Sequence, residues 1–131
     1  MVQLSTTEKV KDTTPYYKIP INKELQKYIF EKCKKANISY ELVLGLIKTE
    51  SNCNADLIHK NSNCTKDYGL CQINTCRLKD FYKAGYTDIM NPYQNVEFAI
   101  NLLSQLKNKN DEHMMLIYYN MGESTQKKLA S

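Results

Sequence analysis

The stretch KTESNCN, residues 48–54, follows directly on ELVLGLI, residues 41–47. From Ser39 to Glu50 the chain reads as a helix that is apolar nearly all round, which marks a buried central helix rather than a surface one. Glu50 ends that helix, with Leu46 and Ile47 one turn before it on the same face. Two effects push its carboxyl pKa upward: the negative end of the helix dipole and the loss of water to apolar neighbours. The dipole contributes about 0.3–1 kcal/mol in ordinary settings. Holding a glutamic acid protonated near neutral pH takes a shift of about 2 units, roughly 2.7 kcal/mol. Desolvation therefore has to supply most of it. A carboxylic acid held this way is suited to protonating a leaving oxygen. The plainer reading is a partly exposed glutamate at a helix end, and the helix alone does not separate the two.

Outward from this helix the pattern is mostly helical. Residues 1–20 read as an irregular lead-in, with Pro15 and Pro20 bracketing YYKI, and residues 21–131 as one domain. Asn22 caps a helix to about Ala36, because Leu25, Tyr28, Ile29 and Cys33 form one apolar stripe, and Asn37 stops it. From Ser51 to about Lys66 the residues are Asn, Ser, Thr and Asp without apolar period, the chemistry of turns and a short hairpin. DYGLCQIN, residues 67–74, follows as a short alternating piece, then a short helix over 77–84 ended by Gly85. Asn91 and Pro92 supply an N-cap and first helical position for a helix to about Lys107 that buries Val96, Ala99, Ile100, Leu103 and Leu106. Asp111 caps a last helix, EHMMLIYYNM, stopped by Gly122. The Met114–Met115 pair reads as core packing.

Bulk properties exclude several classes. The 131 residues make one domain, and 42% hydrophobic with 24% charged residues is ordinary globular composition. No apolar run approaches the ~20 residues that span a bilayer, and the N-terminus lacks the apolar core of a signal peptide, so no anchor is visible. The net charge of +4 comes almost wholly from lysine, Arg77 being the one arginine. A nucleic-acid site needs a denser, arginine-bearing cluster than Lys32, Lys34 and Lys35 make, so nucleic acid is not an expected partner. The charge reads as a solvated surface that favours an anionic polymer.

The five cysteines, Cys33, Cys53, Cys64, Cys71 and Cys76, lack the paired spacing of a zinc site, and the two histidines, His59 and His113, lie apart. Four of the five fall within 24 positions, so one or two disulfides are compatible with an oxidising compartment. Buried thiols acting as small hydrophobes are the equal alternative. His59 reads as an exposed histidine of the hairpin region, and His113 as a surface residue.

The segment ESNCNADLIHKNSNCTKDYGLCQINTCR, residues 50–77, resembles the catalytic stretch of the lysozyme superfamily, which includes animal lysozymes and the bacterial lytic transglycosylases of glycoside hydrolase family 23. The transglycosylase pattern is Glu-Ser, then Gly-Leu-Met-Gln, then Ala-Tyr-Asn with a glycine two positions on. Here these stand as Glu50-Ser51, Gly69-Leu70-Cys71-Gln72, and Tyr118-Tyr119-Asn120 with Gly122. Cys71 replaces the methionine, keeping a soft apolar residue, and Tyr118 replaces the alanine. NPYQNVEFAINLLSQL, residues 91–106, is similar to a family helix that packs behind the cleft. The resemblance covers about residues 22–125. The family pattern continues into a further helical segment, which implies a truncated chain or a shorter cleft wall here.

The resemblance implies a lysozyme-like α+β fold, mostly α, with a small β-hairpin forming one wall of a cleft. It implies cleavage of the bond between N-acetylmuramic acid and N-acetylglucosamine in peptidoglycan, with Glu50 as acid and then base and a 1,6-anhydro product. It places Ser51, Gly69, Leu70, Gln72, Tyr119 and Asn120 at the substrate, with no metal or organic cofactor, acting at a bacterial cell wall; a monomer is expected, although the sequence leaves the oligomeric state open. Each of these has a plainer role as well: turn chemistry for Ser51, backbone satisfaction for Gln72, core packing for Tyr119.

The spacing from Glu50 to Asp67, followed by DYG and QIN, is instead similar to animal lysozymes, where a second carboxylate acts. Carboxyl groups ~5–5.5 Å apart favour a retaining hydrolysis, and ~6.5–9.5 Å leaves room for water. Asp67 capping a hairpin turn is the structural alternative. A cell-wall glycan-binding domain with little turnover is the reading from another class, and the intact Glu50 argues against it.

Overall fold

The computed structural model describes residues 11–109. Four helices and one small sheet make up this part: α1 (Lys23–Ala36), α2 (Tyr40–Ser51), β1 (Ile58–Lys60), β2 (Lys66–Tyr68), β3 (Ile73–Asn74), a 3-10 turn (Thr75–Arg77), α3 (Leu78–Lys83) and α4 (Pro92–Lys109).

Asparagine and serine punctuate the helices where the sequence predicts. The Asn22 side chain accepts from the Leu25 N–H, and the Ser39 hydroxyl from the Leu42 N–H, each satisfying an N-terminal amide that has no helical partner. Asn37 (φ 57°) and Asn52 (φ 52°) close α1 and α2 in the left-handed conformation, which asparagine tolerates better than most residues. The Asn91 carboxamide accepts from both Tyr93 and Gln94 N–H groups ahead of α4.

α2 is the buried centre. Tyr40, Val43, Leu44, Leu46, Ile47 and Ser51 are all buried along it. It shares one core with Ile29 of α1, Leu70, Ile73, Phe81 of α3, and Val96, Ala99, Ile100 and Leu103 of α4. Leu106, expected in the core, is only half-buried. Each fully buried aliphatic side chain contributes about 1.5–3 kcal/mol. Where α1 packs along α4, Tyr28 meets Tyr93 edge-on at 5.0 Å and donates its hydroxyl to Glu97. Phe81 anchors the short α3 by stacking on Tyr86 and meeting Phe98 edge-on.

The sheet is antiparallel, in the order β1-β2-β3, so the expected hairpin gains a third, two-residue strand. The irregular segment 11–20 is fastened to the helices. Gln26, 1% exposed, accepts from the Tyr17 N–H and donates to the Tyr17 and Ile21 carbonyls, and the Tyr40 hydroxyl donates to the Pro15 carbonyl. The last expected helix, with Tyr118, Tyr119, Asn120, His113 and the methionine pair, and Gly122 after it, falls outside the described residues.

Candidate active site

Glu50 occupies the last turn of α2, one turn past Leu46 and Ile47, which are fully buried. Asn52 and Cys53 both take left-handed backbone conformations, φ 52° and 64°, and turn the chain away from α2. The carboxyl group is thereby left half-buried at the end of the central helix. Its pKa is pushed up to about 7, first by burial and second by the negative charge of Asp67. Desolvation leads, as the apolar helix predicts, and the second cause is a carboxylate 17 positions on.

Asp67 lies on the middle strand β2. The hairpin turn is closed by other residues, with the Asn63 carboxamide accepting from the Thr65 N–H and the Asn61 carbonyl from the Cys64 N–H. The backbone amides of that turn are thus satisfied without Asp67, whose link to it runs through the Asn61 side chain. Its carboxylate is clamped from both sides: Asn61 Nδ2 donates to Oδ2 at 3.2 Å and Asn74 Nδ2 to Oδ1 at 2.8 Å. Each of these amides also donates to Thr65 Oγ1. Asn74 faces Asp67 directly in the β2–β3 register, so the clamp follows from strand pairing.

Ser51, Gly69, Leu70 and Gln72 each make framework contacts. Ser51, 3% exposed, donates its hydroxyl to the Ile47 carbonyl at 3.0 Å, which engages it in its own helix. Leu70, 2% exposed, packs in the core. Gln72, 9% exposed and left-handed at φ 49°, donates Nε2 to the Leu57 and Gly69 carbonyls. The amide nitrogen thus satisfies buried backbone, the plainer of its two expected roles. Gly69 has φ +73°, and a Cβ there would stand 2.6 Å from Asn95 Nδ2. Glycine is required on both counts.

Asn95 is the residue that sequence reasoning missed. It is fully buried in α4 and uses its whole carboxamide: Oδ1 accepts from the Cys71 N–H, while Nδ2 donates to the Tyr68 and Ile89 carbonyls. It ties the end of β2 and the Gly69–Gln72 turn to the back of the core. The available signal was a polar residue on the apolar stripe, one turn before Phe98 and Ala99.

Cys33, Cys53, Cys64 and Cys76 are thiols, Cys33 buried and Cys64 and Cys76 exposed. Cys71 is a buried core residue. Burial pushes the Cys33 thiol up to about 12, consistent with the small-hydrophobe reading. Among the described residues no group of three His, Cys, Asp or Glu side chains is placed to hold a metal ion. No helix among them is long and apolar enough to cross a membrane.

The site thus joins a raised-pKa carboxyl at the end of a buried helix to an amide-clamped carboxylate on a small sheet. The chain belongs to the transglycosylase SLT domain family, whose model matches residues 27–131 and whose members cleave peptidoglycan. Protein IpgF of Shigella flexneri is 30% identical, over 72% of this chain and 65% of its own length. IpgF of Shigella sonnei matches to the same extent. The chain thus spans a little under two-thirds of those relatives. Solved structures of DslA, wild type and with a glutamate changed to glutamine, superpose with TM-scores of 0.55 at 15% identity. The glutamine form covers 77% of this chain and 76% of its own. That likeness concerns the fold alone, which is the α+β, mostly helical, lysozyme-like fold.

Proposed function

We propose that this chain is a lytic transglycosylase that cleaves the β-1,4 bond between N-acetylmuramic acid and N-acetylglucosamine, with Glu50 as its acid and base. The observation that carries this reading is the Glu50 carboxyl, desolvated at the end of α2 and raised to about 7. Near neutral pH such a group is available in both protonation states, which suits one residue to two proton transfers. The protonated form gives its proton to the glycosidic oxygen as the bond to the muramyl C1 breaks. The neighbouring N-acetyl group stabilises the cationic centre. Glu50, now a carboxylate, removes the proton of the muramyl 6-hydroxyl while that oxygen closes on C1. The anhydro ring forms and the acid is regenerated, with no water consumed. No metal or organic cofactor enters these steps. The place of action is the cell wall, outside the cytoplasmic membrane, where this polymer lies.

Hydrolysis is the second reading, and the clamped Asp67, whose charge acts on Glu50, is what favours it. A carboxylate held by two amides is poised to stabilise a cationic sugar or to activate water. Mass spectrometry of muropeptides released from purified peptidoglycan separates the two. Anhydro-muramyl ends that vanish with Glu50→Gln support the transglycosylase. Reducing ends, heavier by one water, mean hydrolysis. An equally active Glu50→Gln protein overturns both, and glycan retention without release by the parent points to a binding domain.

A further inference from the structure

The β1–β2 register puts His59 directly opposite Asp67, and the β2–β3 register puts Asn74 opposite Asp67 on the other side. Directly opposed residues of an antiparallel pair share a face, with Cβ atoms about 4.5–5.5 Å apart. That face is identified twice over. Asn61, two residues past His59 and just beyond the end of β1, reaches Asp67 across it, and Asp67 in turn acts electrostatically on Glu50. His59, Asp67 and Asn74 therefore form one row across the sheet, and the Asp67 charge in that row acts on Glu50. Within the row the Asp67 oxygens and the Asn74 amide are engaged with each other, Asn61 and Thr65. His59 lies at the outer strand, exposed.

We propose that His59 is a substrate-contacting residue whose imidazole hydrogen-bonds an oxygen of the bound glycan next to the cleavage point. An N-acetylated glycan offers hydroxyl and acyl oxygens on every ring, and an imidazole supplies a donor at one nitrogen whichever tautomer it adopts. A strand laid along the Glu50 and Asp67 carboxyls meets the outer end of the row next, and His59 is the side chain standing there. The proposal rests on the reading that those two carboxyls flank the scissile bond.

Two measurements on the whole chain test it. With purified peptidoglycan, His59→Ala raises the half-saturating concentration about five-fold, the effect of one lost hydrogen bond, while turnover at saturation changes little. His59→Gln, which keeps a donor, restores most of the loss. Independently of turnover, chitotetraose added to the Glu50→Gln protein shifts the His59 imidazole NMR signals, identified among the two histidines by their absence in His59→Gln. An unchanged half-saturation in His59→Ala overturns the proposal, as do His59 signals that chitotetraose leaves unmoved. A parent protein that releases no fragments defeats the catalytic reading, and the NMR titration still decides His59.

Discussion

Glu50 carries the sharpest expectations at the scale of single residues. Its carboxyl is raised to about 7, so the acid form is lost as pH rises through that value, and kcat/KM falls on the alkaline side with a midpoint near it. A pH–rate profile flat from 6 to 8 would contradict that role. Asp67→Asn removes the second cause of the shift and moves the alkaline limb toward lower pH, while burial, the larger cause, remains. Replacing the acid itself with Glu50→Gln lowers turnover about 10²–10⁴-fold, the usual contribution of a positioned proton donor. The same substitution has a stability signature of definite sign. Folding raises the Glu50 pKa, so stability is fully present below its unfolded value and declines as pH rises through about 7, where the folded protein must hold a half-buried charge. Glu50→Gln therefore gains thermal stability over the parent at pH 8 and gains little at pH 5, as paired melting curves would register.

Between the residue and the fold, the turn joining β2 to β3 is the element that holds the site together. Gly69→Ala combines a left-handed backbone with a Cβ 2.6 Å from the Asn95 amide, so a cost of about 1–3 kcal/mol is expected by denaturant unfolding. Asn95→Leu strips the Cys71 N–H and the Tyr68 and Ile89 carbonyls of their partners at once, and costs roughly 3 kcal/mol or more. If either variant kept parental stability, the turn would not be the support described. The helices around it were legible from local chemistry. Asn22, Asn37, Ser39 and Asn91 all cap or stop helices where their side chains announce it, because a cap needs only the next few amides. β3 was not legible: Ile73–Asn74 is a strand only by pairing with β2, and two residues show no period of their own. Within Gly-Leu-Cys-Gln, Leu70 and the Gln72 amide nitrogen turn inward, a direction that spacing alone does not carry.

At the scale of the whole molecule, the lead-in is part of the packing. Gln26→Ala leaves the Tyr17 N–H and the Tyr17 and Ile21 carbonyls without their partner, so residues 11–21 loosen and stability drops by about 1–3 kcal/mol. Faster hydrogen exchange confined to that segment would show the loosening. By itself the sequence determined the order and type of the described helices, the buried character of α2, and the position of a desolvated acid at its end. Those follow from apolar period and capping chemistry, which act over a few residues. Only the tertiary structure decided that Asp67 bears on Glu50, that Asn61 and Asn74 clamp it, that Asn95 holds the turn from behind, and that His59 joins the same face. Each of these depends on strand register or on a contact across the core, and hydrogen bonds between residues distant in sequence leave no periodic trace in the chain.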